Sequence, residues 1–357
     1  MRIVGFGSGG VDRKRKLQDI SDLMGQLPPG DDQRLMYVDK RRGDIIADLE
    51  AGNIEPYKEK LGSNPKAWLR FLSLKNYERS FGGKGSNAVF AAAKMGVETH
   101  FFGAFGGYTD IDSNEHIEHL ERVGVKVDVQ RIEGETLSQA YVYADAQARQ
   151  VSMIYRGANK HALQQRIPDA LLDRDTIVMI QTSVPVVQSM ALARRAKARG
   201  ATVVFNCTNP AQVERTHFQH IDELVVNQDE AAALAKKFGI VRETAGELAV
   251  ALADQLDVVC VITRGKHNVV SAEKRNGMIV VDDIVTPRIV PRDVTGAGDA
   301  LLGSYVAFRA KGHGVHSALE YGVLAGAFTA KSPDTTSARL SPRILERAKG
   351  ILAAFVG

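Results

Sequence analysis

The sequence predicts an α/β fold built on a mostly parallel sheet. From about residue 96 onward, short β-branched or apolar runs alternate with stretches of helical periodicity, which is typical of βαβ units. Glycines directly follow the predicted helices Val186–Arg199 and Asp229–Phe238, where a helix C-cap needs a positive φ. The strands expected on this basis are Thr99–Ala104, Thr176–Gln181, Thr202–Asn206, Glu223–Asn227 and Val258–Thr263.

Composition indicates an ordinary globular protein. The chain has 357 residues, 44% hydrophobic and 25% charged, and its net charge of +4 is too small and too dispersed to indicate nucleic-acid binding. Its two cysteines, Cys207 and Cys260, cannot form a disulfide framework, so we expect buried thiols. The apolar run Ile3–Phe6 is too short for a signal peptide, and no membrane span is predicted, so we expect a cytoplasmic protein.

Two segments depart from the alternating pattern. Residues 13–80 begin with a predicted amphipathic helix that Pro28-Pro29-Gly30 would end, followed by a charged stretch that we expect to lie as an appendage on the sheet edge. Gln139–Tyr155 predicts a hairpin with Asp145–Arg149 as its turn. We expect the two segments together to form a lid. The residues with helical spacing in the first segment are Leu17, Ile20, Met24 and Leu27.

The most informative motif is a glycine-bearing turn that runs into a helix, Asp293–Gly303. The amides of Gly296, Ala297 and Gly298 would face outward at the helix N-terminus, which favours an anion. Asp299, in the first turn, would lie beside that anion and could accept a proton from an attacking hydroxyl. An ordinary N-capping aspartate gives the same local pattern, so this motif alone does not establish catalysis.

A second glycine turn precedes the Ala-rich helix predicted over Ala88–Met95. The paired glycines in Phe81–Asn87 allow a ligand to touch the backbone, and Lys84 and Asn87 add donors suited to hydroxyls or phosphate. Taken alone, this segment is equally an ordinary turn at a helix start.

At Gly82–Asn87 and Asp293–Asp299 the chain closely resembles the ribokinase-like, or PfkB, family of carbohydrate and nucleoside kinases. The resemblance covers nearly the whole chain except roughly residues 13–75, and it implies a ribokinase-like three-layer sandwich with a mostly parallel central sheet and a small β lid. Further matching positions are Arg156-Gly157-Ala158-Asn159, Asn206, Asn227–Glu230 and Thr263-Arg264-Gly265.

The resemblance implies an ATP-dependent phosphotransferase that acts on a hydroxyl of a small sugar, sugar derivative or nucleoside. It assigns Asp299 as general base, with the amides of Gly296, Ala297 and Gly298 as the anion hole. It assigns acceptor binding to Asp12, Gly83, Lys84 and Asn87, and nucleotide binding to Asn227, Thr263 and Gly265. ATP and Mg²⁺ are the implied cofactors, with Glu230 positioning magnesium through water. Asp293 lies where many relatives bind a monovalent cation such as K⁺.

The resemblance also suggests how the chain is divided. Residues 1–12 and 81–357 are expected to form the kinase core, 13–80 a lid segment with an insertion, and 136–156 a lid hairpin. The hairpin would allow a homodimer by sheet-edge pairing, as in many relatives, whereas the insertion could equally block it. No nucleic-acid or membrane partner is expected.

Some positions differ from the ribokinase pattern. Gly10 stands where ribokinases usually have asparagine, and Ser183 where they carry a sugar-facing glutamate, which argues against ribose. Gly106–Asp110 replaces a Gly-Asp-Asp motif, and the C-terminal glycine of the cation loop is missing around Ser332–Ser337. Pentose, hexose, nucleoside and sugar phosphate all stay open as acceptors.

Two other functions compete with the kinase interpretation. Gly5–Gly10 fits a dinucleotide-binding Gly-x-Gly-x-x-Gly, but Gly25–Asp32 is a turn where that fold needs a second strand, so an oxidoreductase is disfavoured. A catalytically silent sugar- or nucleoside-binding protein stays an alternative, although it would have little need of both Asp299 and Asn227–Glu230.

Charged and metal-ligating clusters outside these motifs have plainer interpretations. His116 and His119, and likewise His217 and His220, are expected to be exposed helix residues rather than metal pairs. The basic run Arg13–Lys16 is expected to be a solvated face.

Overall fold

A nine-stranded sheet forms the centre of the computed structural model, which describes residues 1–24, 33–57, 65–145, 150–332, 336 and 339–356. Its strands are β1 (Arg2–Phe6), β5 (Thr99–Gly106), β6 (Val125–Ile132), β9 (Thr176–Gln181), β10 (Thr202–Asn206), β11 (Glu223–Asn227), β12 (Val259–Arg264), β13 (His267–Arg275) and β14 (Met278–Ile284). Their order across the sheet is β14-β13-β12-β11-β10-β9-β1-β5-β6.

All neighbouring strands from β6 to β12 are parallel, whereas the pairs β12–β13 and β13–β14 are antiparallel, so β13 runs opposite to the other strands of this sheet. The carboxyl ends of the parallel strands therefore meet at one edge, where ligands bind in open α/β sheets. The predicted mostly parallel sheet is confirmed. Three predicted strands match to the residue, while β5 continues to Gly106 and β12 is shifted by one residue.

Helices cover both faces of this sheet and make the three-layer sandwich. Ile177 and Met179 pack on one face and Val178 and Ile180 on the other, as strand alternation requires. The helices that contribute to the first face are α4 (Lys84–Lys94), α5 (Ile111–Glu121), α9 (Ala297–Ala310), α10 (Val315–Ala330) and α11 (Pro342–Val356), and those on the second are α6 (Val186–Ala198), α7 (Gln228–Lys237) and α8 (Ala245–Leu256). Among the described helices, none is long and apolar enough to cross a membrane.

A second sheet of five strands, here called the small sheet, lies beside the main one. Its order is β3-β8-β7-β2-β4, with β2 parallel to β7 and β3 parallel to β8, and the other pairs antiparallel. The strands are β2 (Gly10–Lys16), β3 (Gln33–Val38), β4 (Glu78–Gly82), β7 (Ser138–Ala144) and β8 (Gln150–Tyr155); helices α1 (Ser21–Met24), α2 (Arg42–Glu50) and α3 (Pro65–Leu72) accompany it. Trp68 and Tyr143 are fully buried in its separate core.

The small sheet corrects three expectations for residues 13–80. The segment supplies strands to the small sheet and is not an appendage on the main one. The predicted helix start at Leu17 is wrong: the Leu17 amide donates to the Ala144 carbonyl as a continuation of β2, and the described part of the helix covers Ser21–Met24. The Arg13–Lys16 run is not a solvated face, because β2 directs Arg13 to Asp112 and Lys14 to Asp293 in ion pairs.

The hairpin predicted over Gln139–Tyr155 is confirmed by antiparallel pairing of β7 and β8. Within its predicted turn only Asp145 is described, and residues 146–149 lie outside the described residues. Leu27 and Pro28–Gly30 lie outside them as well.

Buried thiols are confirmed, whereas the expectation for His116 is wrong. Burial raises the pKa of Cys207 and Cys260 to about 12, and both cysteines are free. His116 is only 1% exposed and packs edge-on against Phe81 and Phe105. Burial, with help from His119, lowers the His116 pKa to about 3, so this ring is neutral and part of the core.

A buried ionic network fixes α9 to the main sheet. Glu223, at the start of β11, accepts hydrogen bonds from the Tyr305 hydroxyl at 2.6 Å and from the Arg309 Nε and Nη2 at 3.0 and 2.8 Å. The Glu223 side chain is only 2% exposed. A buried carboxylate needs such partners, because an uncompensated charge in the interior is strongly destabilising.

Removing the cation from this network should lower the stability of the whole domain. We expect Arg309→Met to cost about 3 to 5 kcal/mol in the free energy of unfolding, since Glu223 stays buried without its counter-charge. Arg122→Met is the matched control, because the Arg122–Glu118 pair is 68% and 62% exposed and should contribute less than about 1 kcal/mol. Urea unfolding measures both variants, and equal losses would contradict the role of the network.

Candidate active site

A cavity of about 350 Å³ lies between the carboxyl edge of the main sheet and the small sheet. The small sheet contributes an apolar wall of Val11, Ala140, Val142 and Ile154. The predicted site residues that line the cavity are Asp12, Gly83, Lys84, Asn87, Gly296, Gly298 and Asp299. The structure therefore brings residues from both ends of the chain into one space.

Asp299 and Asn87 meet at the starts of two packed helices. The Asn87 Nδ2 donates to Asp299 Oδ2 at 2.9 Å. Burial raises the pKa of Asp299, while Lys84 and the Asn87 hydrogen bond oppose the shift. A partly buried carboxylate with raised proton affinity, held by one amide, has the properties of a general base.

The contact between α4 and α9 requires glycine. A Cβ on Gly303 would lie 1.9 Å from the Ala88 carbonyl oxygen, so no other residue fits there without moving a helix. A Cβ on Gly85 would lie 2.7 Å from the Gly7 Cα, which ties α4 equally closely to the end of β1. These approaches set the distance between Asn87 and Asp299.

The glycine turn before α9 partly matches the predicted anion site. Gly296 is the N-cap residue with φ +78°, and Gly296 and Gly298 line the cavity. The expectation that the Ala297 amide faces outward is not met, because it donates to the Val294 carbonyl at 3.2 Å. The remaining amides at this helix start give a favourable position for an anion.

Asp12 lies in the cavity on β2. Burial raises the Asp12 pKa to about 6, Lys14 opposes the shift, and Asp299 and Asp293 add to it. The negative charges of Asp299 and Asp293 therefore act on Asp12, and the Lys14 ammonium opposes their effect.

Asn227 and Glu230 form a reciprocal cap at the start of α7. The Glu230 amide donates to Asn227 Oδ1, and the Asn227 amide donates to Glu230 Oε2, each at 2.8 Å. Neither residue lines the cavity, and Thr263 and Gly265 also lie outside it. Asn227 pairs with Thr263 in the β11–β12 register, so both lie at the carboxyl edge of the main sheet.

Glu230 fits a magnesium site that the nucleotide would complete. Burial raises its pKa, and the charges of Lys84 and Asp299 act on it, which places Glu230 near the cavity. The cap uses Oε2, so Oε1 would be the oxygen that accepts a hydrogen bond from a metal-bound water. Among the described residues, no group of three or more His, Cys, Asp or Glu side chains could hold a metal alone.

Two residues of the matching segment Arg156–Asn159 contribute to the site in ways that sequence reasoning missed. The Asn159 side chain accepts from the Gly9 amide at 3.3 Å and donates to the Gly9 carbonyl at 2.9 Å, which holds the β1–β2 turn. Arg156 lines the cavity at the end of β8. An arginine directly after a lid strand is the sequence signal that could have identified it.

Comparison with known proteins gives the class. Residues 72–341 match the pfkB family of carbohydrate kinases, and the chain belongs to this family. It is 26% identical to the ribokinase of Staphylococcus aureus over 66% of this chain and 77% of that protein.

Solved structures show the same fold. The adenosine kinase of Sinorhizobium meliloti superimposes with a TM-score of 0.75 at 15% identity, covering 97% of this chain and 98% of that one. A ribokinase from Cryptococcus neoformans in complex with ADP has a TM-score of 0.70 at 21% identity, covering 97% and 99%. The predicted ribokinase-like fold is thereby confirmed.

The environment of Asp12 predicts a pH-dependent stability difference. Because its folded-state pKa is raised, the native state keeps a proton that the unfolded chain releases, and wild-type stability falls between about pH 4 and about pH 6. Asp12→Asn lacks this proton, so its melting temperature relative to wild type should rise from pH 4 to pH 7. A difference independent of pH, measured by thermal unfolding, would show that Asp12 is not perturbed.

Proposed function

We propose that this protein transfers the γ-phosphoryl group of ATP to a hydroxyl of a small sugar, sugar derivative or nucleoside. The observation that carries the proposal is the part-buried Asn87–Asp299 contact, which holds a carboxylate at a glycine-rich helix start in the wall of the cavity. Membership in the pfkB family independently supports kinase chemistry.

The acceptor is bound between Asp12 and Asp299 in this mechanism. Asn87 occupies Asp299 Oδ2, so Oδ1 is the atom that accepts the proton from the attacking hydroxyl. Asp12, on the small sheet, accepts a hydrogen bond from a second hydroxyl and orients the acceptor. Catalysis then comes from positioning and from electrostatic stabilisation of the transferring group.

The nucleotide phosphates lie at the start of α9 in this mechanism. The amides of Gly296 and Gly298, together with Lys84, stabilise the charge that develops on the transferring group. Asn227, Thr263 and Gly265 contact the nucleotide along the open edge of the main sheet. Magnesium, positioned by Glu230 through water, neutralises phosphate charge when it is bound.

The small sheet acts as the lid over this site. We assign residues 1–12 and 81–357 to the kinase core, with 13–80 and 136–156 as lid segments, because the latter two supply the small sheet. The hairpin strands β7 and β8 are internal to the small sheet as described, so the predicted edge pairing through the hairpin does not hold. The edges of the sheet are β3 and β4, and a homodimer through the lid stays a prediction.

Replacing the proposed base should stop the chemistry but leave nucleotide binding intact. Asp299→Asn should lower kcat at least about 100-fold, since general-base catalysis contributes that much or more. Asp44→Asn is the matched control, an exposed aspartate in the first turn of α2. Coupled ADP release measures turnover, and calorimetry measures ADP affinity.

Two outcomes of that experiment would contradict the proposal. Near-normal turnover of Asp299→Asn would exclude this residue as the base. Binding of a sugar or nucleoside by wild type without acceptor-dependent ADP release would favour the catalytically silent binding protein.

The charge of Arg156 in the cavity wall determines which classes of acceptor should be compared. A guanidinium in the cavity wall pairs well with carboxylate or phosphate, so we expect the better acceptors to carry such a group. Arg156→Gln should raise KM about tenfold for an anionic acceptor and little for a neutral one. Arg166→Gln, at an exposed pair with Asp128, is the control. Equal KM changes for sugar acids, sugar phosphates and neutral sugars would refute this preference.

A further inference from the structure

Lys14 reaches from the small sheet to the loop that begins the catalytic helix. Strand alternation places Asp12 and Lys14 on the same face of β2 and Arg13 on the other. The Lys14 Nζ lies 2.5 Å from Asp293 Oδ2, and the two side chains are only 14% and 24% exposed. This is a largely buried ion pair between residues 279 positions apart in the chain.

Both carboxylate oxygens of Asp293 have N–H donors. Oδ2 accepts from Lys14, and Oδ1 accepts from the Thr295 amide at 2.9 Å. Burial alone would raise the pKa of Asp293, but these donors outweigh burial and hold the pKa below its ordinary value. Asp293 is therefore a carboxylate whose negative charge already has a resident partner.

Asp293 does not fit the monovalent-cation site that the family resemblance places there. A K⁺ ion at this carboxylate would lie next to the Lys14 ammonium, and two like charges in a partly buried place repel strongly. The nearby Ala330 carbonyl already accepts from the Arg292 and Asp293 amides, at 2.8 and 3.1 Å. Residues 333–335 and 337 of the second half of the loop lie outside the described residues.

We infer that the Lys14 ammonium is a built-in cation at Asp293 and that this protein does not use a monovalent metal ion there. Lys14 is a positioning residue: it holds Asp293, and through it the turn at Gly296 that places Asp299. Because Lys14 belongs to the small sheet, the charge reaches Asp293 only when that sheet is seated over the cavity. The expected effect of Lys14 on turnover rests on the proposed function, whereas its expected effect on K⁺ binding does not.

Removing the ammonium should create a dependence on K⁺. Lys14→Met keeps the length of the side chain and removes its charge, and we expect kcat to fall roughly tenfold and to recover partly in KCl. Assays compare KCl with tetramethylammonium chloride at equal ionic strength, and Lys14→Arg should need no KCl. Lys16→Met is the matched control, an exposed lysine two residues further along β2.

A second measurement does not need turnover. The melting temperature of Lys14→Met should rise in KCl relative to tetramethylammonium chloride, while wild type and Lys16→Met should show no difference. K⁺ activation or K⁺ stabilisation of wild type as large as that of Lys14→Met would overturn the inference. Equal melting behaviour of Lys14→Met in both salts would also overturn it. If no acceptor is turned over but the melting pattern holds, the proposed function fails and the inference about Lys14 stands.

Discussion

The contact between α4 and α9 is the constraint on which the site depends. Gly303 lets α9 pack directly on the Ala88 carbonyl, and this approach puts Asn87 within 2.9 Å of Asp299. The network of Glu223, Tyr305 and Arg309 then fixes the same helix to β11. Helix α9, which carries the proposed base, is therefore fixed at two points. It contacts α4 where it begins and the main sheet further along. A carboxylate that is already positioned needs little rearrangement to act, and such preorganisation is what electrostatic catalysis requires.

The small sheet contributes charged side chains near the cavity as well as an apolar cavity wall. Its inner face presents apolar side chains to the cavity, while β2 contributes Asp12 and Lys14. Arg13, on the opposite face, pairs with Asp112 at the start of α5. Alternate residues of one strand thus connect the small sheet to two parts of the core. In the proposed mechanism, one short stretch of chain therefore couples acceptor binding, the Asp293 loop and the seating of the small sheet.

The central strands could be predicted from sequence because they are buried on both faces and appear as continuous apolar runs, as in Thr176–Gln181. Strand β2 could not be predicted, because the basic run Arg13–Lys16 has the composition of a solvated segment. Its ion-pair partners, Asp112 and Asp293, are distant in sequence. The Asp299 motif could be recognised in the sequence. Its contact with Asn87 could not be predicted, because it depends on how α4 and α9 pack. His116 was misassigned because nothing local signals an aromatic core around it. Asn227 and Glu230 were identified only through the family resemblance, and the reciprocal cap that they form was not predicted, although its spacing fits a capping box.

Phosphoryl transfer itself is tested most directly by following the phosphorus atom. The protein, Mg²⁺ and ATP labelled with ³²P in the γ position are mixed with an accepted sugar or nucleoside, and products are separated by chromatography. The account predicts that label appears on the acceptor in a one-to-one ratio with ADP, with little free phosphate, because the small sheet and Asp299 present the acceptor hydroxyl rather than water. Label found only in free phosphate, at a rate that no acceptor changes, would contradict it.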